Sequence, residues 1–394
     1  MRTRLLWFAP ATLACAGLLV VGQDLPAAEQ AAPPRPAGIR ARPGEGRAPE
    51  FPEPTITQYR PRTTLKTAQH PVPRAKFPVI DIHSHQPTPI SDAQFATVVQ
   101  GMDAVNLRVL VNASGAQGDR LARAVAALEA SQFKNRMVQF TDIDFRNVGP
   151  GWAAPAVAQL EADVKAGASG VGEISKAFGL RIRKADGTRL KIDDPDLDPI
   201  WAACGRLGVP VLIHTAEPQE FFEPIDFQNE RWLELARFRD RRYPAGEFPR
   251  FEELMTERNR MFKKHPKTTF IAAHFAYHAN DLARMGKLFD EHPNVHTEVG
   301  AILAELGRQP RAAREFFIKY QDRILFGKDS FQPDEFPYFW RVFETTDEYF
   351  DYYRDYHAFW KLYGMGLPDE VLKKLYYKNA LKLVPGLPQD GWPQ

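Results

Sequence analysis

Eight short apolar runs, alternating with longer amphipathic stretches, predict an α/β protein with a closed (β/α)8 TIM barrel in this chain of 394 residues. Near-continuous apolar runs are typical of parallel strands covered on both faces. Eight such units in roughly 300 residues agree with the usual barrel size of about 250 residues plus insertions. No Gly-rich dinucleotide fingerprint follows any run, which disfavours an open doubly wound sheet. The runs are 79–85, 108–114, 137–144, 167–175, 209–215, 268–275, 294–301 and 323–330.

Segments with helical spacing lie between these runs, for example at 118–133, 194–208 and 310–323. The connection 216–267, between the fifth and sixth runs, is too long for a simple loop. Because loops at the C-terminal ends of barrel strands build active sites, we interpret this insertion as a lid or a pocket wall. The aromatic stretch 336–364 follows the eighth run and has two interpretations: a helix on the barrel exterior, or a second pocket wall.

The N-terminus has the composition of a secretory signal peptide, with Arg2 and Arg4 before an apolar stretch that ends in small residues. We expect residues 1–28 to be this signal and the mature protein to be periplasmic or extracellular. An uncleaved membrane anchor and a lipid-modified Cys15 are the alternatives. Residues 29–77 are proline-rich and predict an extended arm, which leaves 78–387 for the barrel. The mature chain keeps only Cys204, so no internal disulfide is expected.

The chain has almost balanced charge, with 51 basic and 49 acidic residues and a formal net charge of +2. A net charge this small does not favour nucleic acid or an anionic membrane as a partner. We therefore expect a small-molecule substrate, no nucleic acid, and no membrane contact beyond the signal segment. A homo-oligomer stays open.

The first run, VIDIHSH, ends in His83 and His85. Residues two apart share a face of a strand, and in a barrel strand this face is the interior. A lone inward histidine is usually a hydrogen-bonded core residue, but two facing one lumen are better explained as metal ligands. Polar residues also end four later runs. Because all strands of a parallel barrel end at one mouth, the sequence predicts a metal site there. Its candidate ligands are His83, His85, Glu173, His214, His274 and Asp329.

This pattern resembles the amidohydrolase superfamily of metal-dependent enzymes. The segments GVGE and HTAEP are similar to its amidohydrolase-related branch, which includes lactone hydrolases and metal-dependent aromatic decarboxylases. The resemblance covers residues 78 to about 387. It implies that His83, His85 and Asp329 hold a first ion. It also implies that Glu173 bridges two ions, where other members use a carboxylated lysine.

Imidazole and carboxylate ligands suit Zn²⁺, as one or two ions, with Mn²⁺ or Fe²⁺ as alternatives. Such an ion lowers the pKa of water to about 7, and Asp329 could then carry a proton from water to the leaving group. If Glu173 bridges, His214 and His274 would hold a second ion. If it does not, one ion remains and His274 becomes a catalytic acid or base, which suits decarboxylation.

The sequence therefore predicts an exported metal-dependent hydrolase of a small ester, lactone or amide, with catalytic Asp329 and His274. A carboxy-lyase acting on an aromatic or unsaturated acid is the alternative enzyme. A non-catalytic metal-binding scaffold is the alternative outside the class of enzymes.

The roles of five further residues stay open. His278 is expected on a solvated helix face, the direction of Glu298 depends on strand register, and three residues flank ligand positions: Lys176, Glu217 and Lys328.

Overall fold

The computed structural model describes residues 50–393, so the predicted signal peptide and the first part of the arm lie outside the described residues. The chain divides into two compact units, Met1–Thr64 and Leu65–Gln394. The described part of the first unit contains a turn at 56–58, in which the Gln58 N–H donates to the Thr55 carbonyl. Among the helices of residues 50–393, none combines the length and the apolar character that a membrane crossing requires.

The second unit is built on eight parallel strands in two sheets, one with the order β1-β2-β3 and one with the order β4-β5-β6-β7-β8. Each strand falls inside one of the eight predicted apolar runs, except that the second begins one residue earlier. The strands are β1 (Val79–Ser84), β2 (Leu107–Asn112), β3 (Met137–Gln139), β4 (Val171–Ile174), β5 (Val211–Ile213), β6 (Phe270–Ala272), β7 (Val295–Glu298) and β8 (Ile324–Leu325).

The two sheets join at both edges and form a ring. A parallel bridge pairs Thr141, just after β3, with Val171 of β4. On the other side, Ser84 of β1 pairs with Asp329 beyond β8, and the Ile82 N–H donates to the Phe326 carbonyl at 3.0 Å. The structure therefore confirms the predicted (β/α)8 TIM barrel.

Helices alternate with the strands and cover the outside of the ring. The first begins at a capping box in which the side chains of Ser91 and Gln94 accept each other's backbone N–H groups. The helices are α1 (Asp92–Val105), α2 (Gly118–Ala130), α3 (Ala153–Lys165), α4 (Asp198–Leu207), α5 (Trp232–Arg237), α6 (Phe251–Lys264), α7 (Leu282–Glu291), α8 (Leu303–Gly307), α9 (Pro310–Lys319), α10 (Phe336–Glu344), α11 (Asp369–Lys373) and α12 (Asn379–Leu383).

The predicted insertion lies between β5 and β6 and carries α5, two short 3₁₀ turns and α6. The aromatic stretch divides into two parts. On α10, Phe336 and Trp340 are fully buried, and Trp340 packs on Phe326 just beyond β8 at 4.9 Å between ring centres. The exterior-packing interpretation therefore holds for the helix. The later part packs on the insertion, where Arg231 Nη1 donates to the His357 carbonyl at 3.1 Å.

The last residues of the predicted arm belong to the same compact unit as the barrel. The His70 N–H donates to Asp347 Oδ2 at 2.6 Å, and the Lys76 N–H donates to Glu344 Oε1 at 3.0 Å. These bonds attach residues 65–77 to the end of α10 and the loop that follows it.

We predict that the thiol of Cys204 is unreactive in the native protein. The residue lies on α4, and burial raises the pKa of its thiol to about 12. Because the thiolate is the reactive form, a Cys15→Ser variant should not react with an aromatic disulfide reagent until it is unfolded, when one thiol should react. Rapid labelling of the native variant would contradict the buried position of Cys204.

Candidate metal centre

The barrel brings the six predicted ligands to the C-terminal mouth. His83 lies in β1 and Glu173 in β4, whereas the other four follow strand ends. His214 comes directly after β5, and His274 begins the short turn His274–Tyr277 after β6. The barrel therefore supplies one or two candidate ligands from each of β1, β4, β5, β6 and β8.

Four ligand atoms face one another at the first position. His83 Nε2 lies 3.3 Å from His85 Nε2, 3.5 Å from Glu173 Oε2 and 3.7 Å from Asp329 Oδ1. His85 Nε2 lies 3.3 Å from Glu173 Oε2 and 3.4 Å from Asp329 Oδ1. Four ligands bound at about 2.0–2.1 Å in a zinc tetrahedron lie about 3.3–3.4 Å apart, so these separations fit a divalent ion.

The second oxygen of Glu173 faces a different pair of imidazoles. Glu173 Oε1 lies 2.7 Å from His214 Nδ1 and 3.8 Å from His274 Nε2. Each carboxylate oxygen of Glu173 therefore faces two histidine nitrogens. Two triplets of candidate ligands each have their three ligand atoms within 4.8 Å of one another. The first is His83 with His85 and Asp329, and the second is His83 with Glu173 and His274. His214 belongs to neither triplet.

The carboxylates and imidazoles of this centre shift each other's pKa values. Burial raises the pKa of Glu173, but the charges of His83 and His214 outweigh it and hold this pKa well below its usual value. Burial lowers the pKa of His83, but Glu173 and Glu298 raise it well above its usual value. The buried carboxylates thus require positive charge beside them, which bound protons or a divalent ion can supply.

Glu298, at the end of β7, orients two of the histidines from behind. Its side chain is 0% exposed. His83 Nδ1–H donates to Glu298 Oε1 at 3.2 Å, and the His274 backbone N–H donates to the same oxygen at 2.6 Å. His274 Nδ1–H donates to the Gly300 carbonyl at 3.0 Å. Both rings therefore carry a proton on Nδ1, so Nε2 is the nitrogen that faces the centre, as in metal-ligating histidines.

The space around Glu298 depends on two glycines. A Cβ on Gly300 would lie 2.8 Å from Glu298 Oε2, and a Cβ on Gly327 would lie 3.0 Å from both Glu298 and His83. On the other side of His83, Asp81 Oδ1 accepts the N–H groups of His83 and Lys328 at 3.1 and 3.0 Å. This carboxylate links β1 to the segment that carries Asp329.

The three flanking residues occupy different surroundings. Glu217 is buried, and its Oε2 accepts the Tyr277 hydroxyl at 3.0 Å. Lys176 Nζ lies 3.4 Å from Glu217 Oε1, with 53% of the lysine side chain exposed. Lys328 is buried and donates to Glu335 Oε2 at 2.5 Å. Lys176 alone of these three has a largely exposed side chain.

The expectation of a solvated His278 is wrong. His278 is 2% exposed, and Arg258 Nη2 donates to its Nε2 at 3.2 Å. Spacing from His274 suggested a helix start, but the intervening residues form a tight left-handed turn that moves His278 inward. Sequence reasoning also missed Tyr277, whose hydroxyl lies 2.8 Å from His214 Nε2. Its position three residues after a candidate ligand was the only sequence signal for it.

We predict that Glu298→Gln weakens metal binding without unfolding the barrel. Glu298 Oε2 accepts the Gly300 N–H, and the NH2 group of a glutamine at this position cannot accept it. The variant thus loses the carboxylate that orients His83 and His274. Loss of such an outer partner typically reduces metal affinity about 10–100-fold. Zinc competition against a chromogenic chelator measures this, with circular dichroism as the folding check. Glu291→Gln, at an exposed site on α7, is the matched control. Equal affinity in the two variants would contradict the role of Glu298.

Solved structures with similar folds include two enzymes. One is 5-carboxyvanillate decarboxylase LigW from Sphingomonas paucimobilis, with 16% identity and a TM-score of 0.47, covering 78% of this chain and 99% of that one. The other is 4-oxalomesaconate hydratase LigJ from Rhodopseudomonas palustris, with 14% identity and a TM-score of 0.47, covering 78% and 95%. Likeness at this level does not indicate which reaction this chain performs.

Two further comparisons concern the sequence itself. The uncharacterized protein Rv0953c of Mycobacterium tuberculosis is 34% identical over 101 residues, which is 24% of this chain and 33% of that relative. The match thus spans about a third of the relative's length. A family model described as amidohydrolase matches residues 80–386, a range that contains every candidate ligand and all barrel strands apart from Val79, the first residue of β1. The chain belongs to the amidohydrolase family.

Proposed function

We propose that this protein is a metal-dependent hydrolase that cleaves a small ester, lactone or amide. The observation that carries the proposal is the position of Glu173, because each of its oxygens faces a separate pair of imidazole nitrogens. One carboxylate between two ligand groups is the arrangement expected of a glutamate shared by two divalent ions.

The donor set fits such ions. His83, His85 and Asp329 would hold the first, His214 and His274 would hold the second, and Glu173 would contact both. Nitrogen and oxygen donors of this kind suit Zn²⁺, with Mn²⁺ and Fe²⁺ as alternatives. Bound divalent ions would supply Lewis-acid chemistry, lowering the pKa of water to about 7 and polarising a carbonyl group.

Asp329 is the residue proposed to move the proton. Its side chain is 38% exposed and that of His85 is 35% exposed, so this side of the centre is open to a substrate. Burial raises the pKa of Asp329, but hydrogen bonding to His85 and the charge of His83 lower it below its usual value. The ionised carboxylate can accept a proton from the attacking water and release it to the leaving alkoxide or amine.

The proposed role of His274 as a ligand of the second ion ranks hydrolysis above decarboxylation. Decarboxylation needs a group that delivers a proton to carbon. His274 donates Nδ1–H to the Gly300 carbonyl, so the nitrogen that faces the centre, Nε2, carries a lone pair. This nitrogen therefore suits a metal ligand or a base, and as a ligand of the second ion it would not be free to deliver a proton. A carboxy-lyase therefore ranks second, and a scaffold without activity ranks third.

Export is proposed from the sequence of residues 1–28. A small-molecule substrate is proposed because the open side of the centre lies at the mouth of a barrel.

We predict that Asp329→Asn lowers kcat about 10²–10⁴-fold, the usual contribution of a general base, while the protein stays folded. The measurement combines elemental analysis of protein purified without chelator with assays on lactones, esters and amides. Asp322→Asn is the matched control, because Asp322 is 65% exposed and pairs with Lys374.

Two ions per chain and turnover that Asp329→Asn abolishes would support the proposal. An active Asp329→Asn variant would rule out the proton-transfer role. One ion per chain, no hydrolysis, and release of CO₂ from aromatic carboxylic acids would replace the hydrolase with the carboxy-lyase.

A further inference from the structure

A buried arginine of the insertion contacts the turn that follows β6. Arg258 lies on α6 and is 0% exposed. Its Nη1 donates to the Ala276 carbonyl at 2.8 Å, and its Nη2 donates to His278 Nε2 at 3.2 Å. Its Nε and Nη2 also donate to the side-chain oxygen of Asn259, at 3.2 and 3.1 Å. The acceptors of these hydrogen bonds carry no negative charge.

Arg258 forms no ion pair with a carboxylate of residues 50–393. Burial and then the charge of Arg284 lower the pKa of its guanidinium group to about 9, so the group is still charged at neutral pH. Glu252, on the same helix, pairs with Arg284 at 2.7 Å instead. A buried charge without a paired opposite charge is costly. The hydrogen bonds to neutral groups must therefore hold Arg258 in place.

His278 extends this contact to a second carbonyl group of the turn. A guanidinium group can only donate, so His278 Nε2 accepts its hydrogen bond. Burial and the charge of Arg258 lower the pKa of His278 to about 2, so the ring is neutral and its proton is on Nδ1. This Nδ1–H donates to the Tyr277 carbonyl at 3.1 Å. Arg258 and His278 thus hold two consecutive carbonyl groups, those of Ala276 and Tyr277.

The backbone of this turn is unusual. Its four residues have φ angles of 55°, 56°, 53° and 54°, the left-handed region that side chains other than glycine rarely occupy: His274, Phe275, Ala276 and Tyr277. Residues with a Cβ usually enter this region singly, because the Cβ comes too close to the following carbonyl oxygen. A run of four persists only where the surrounding structure holds it. The turn begins at candidate ligand His274 and ends at Tyr277, whose hydroxyl lies 2.8 Å from His214 Nε2.

We propose that Arg258 and His278 are positioning residues that hold this turn in its left-handed form. In this form the turn keeps His274 and Tyr277 directed at the half of the centre that would bind the second ion. The inference rests on the proposed function, because it assigns the support of that ion's ligand. Glu298 holds the start of the turn from the barrel, and Arg258 holds its end from the insertion. The insertion would thus contribute to metal binding without supplying a ligand.

Two pairs of substitutions test these contacts. Arg258→Met removes the hydrogen-bond donors and keeps most of the length, whereas Arg258→Lys keeps the charge and one donating group. His278→Leu removes both ring nitrogens. The amide of His278→Gln can still accept from Arg258 and donate to the Tyr277 carbonyl. Arg260→Met is the matched control, because Arg260 lies on the same helix, is 59% exposed and pairs with Asp193.

The first measurement is zinc competition against a chromogenic chelator, with thermal unfolding recorded separately. We expect Arg258→Met and His278→Leu to weaken the second binding step about 10–100-fold, as loss of an outer partner typically does, and to leave the first unchanged. Arg258→Lys should show a smaller loss, and His278→Gln and Arg260→Met should match the wild type.

A lower unfolding temperature with an unchanged second step in Arg258→Met and His278→Leu would overturn the proposal, because the two residues would then only stabilise the fold. If Arg258→Met does not fold, Arg258→Lys and His278→Leu take its place, and an unchanged second step in both would count equally against the positioning role.

The second measurement is the crystal structure of each folded variant without metal, which does not depend on the proposed function. We expect residues 274–277 of Arg258→Met to leave the left-handed region, and His274 Nε2 to lie further from Glu173 Oε1 than the 3.8 Å of the wild type. An unchanged turn in the Arg258 and His278→Leu variants would overturn the proposal. A wild type that binds one ion only would refute the two-ion centre, and the crystal structures would then decide the positioning role alone.

Discussion

The candidate metal centre depends on one buried carboxylate, Glu298 at the end of β7. Its Oε1 accepts from the His83 ring on β1 and from the His274 backbone after β6, and its Oε2 accepts from the Gly300 N–H. These bonds join β1, the turn after β6 and the segment after β7 behind the ligands. A buried carboxylate is costly unless it is hydrogen-bonded, so these contacts both stabilise Glu298 and hold the two histidines in place.

Packing around this carboxylate leaves no room for side chains on the adjacent backbone. Gly327 follows β8 at the point where a Cβ would meet both Glu298 and His83. Asp329 is two residues further along, and its N–H donates to the His83 carbonyl at 2.7 Å. The position of Asp329, which follows β8, is therefore coupled to that of His83 in β1. Close packing of strand ends, and not loop flexibility, sets the distances between the ligand atoms.

Sequence patterns predicted the barrel and the convergence of its six candidate ligands, because strand alternation and the shared mouth of a parallel barrel are general rules. The same rules could not orient Glu298, since its direction depends on the register and twist of a strand four residues long. They also failed for His278 and Tyr277. Helical spacing assumes ordinary φ angles, and the left-handed turn after β6 breaks that assumption. Arg258, 18 residues before Ala276, donates to the carbonyl of Ala276 in this turn.

The arrangement of His83, Glu173 and His214 leads to one central claim, that Glu173 lies between two divalent ions. Anomalous diffraction from zinc-soaked crystals, recorded on both sides of the zinc absorption edge, tests it most directly. We expect two peaks about 3.5–4 Å apart, with Glu173 between them and His214 beside the second. A single peak beside His83 and His85, or no peak at the barrel mouth, would contradict the claim.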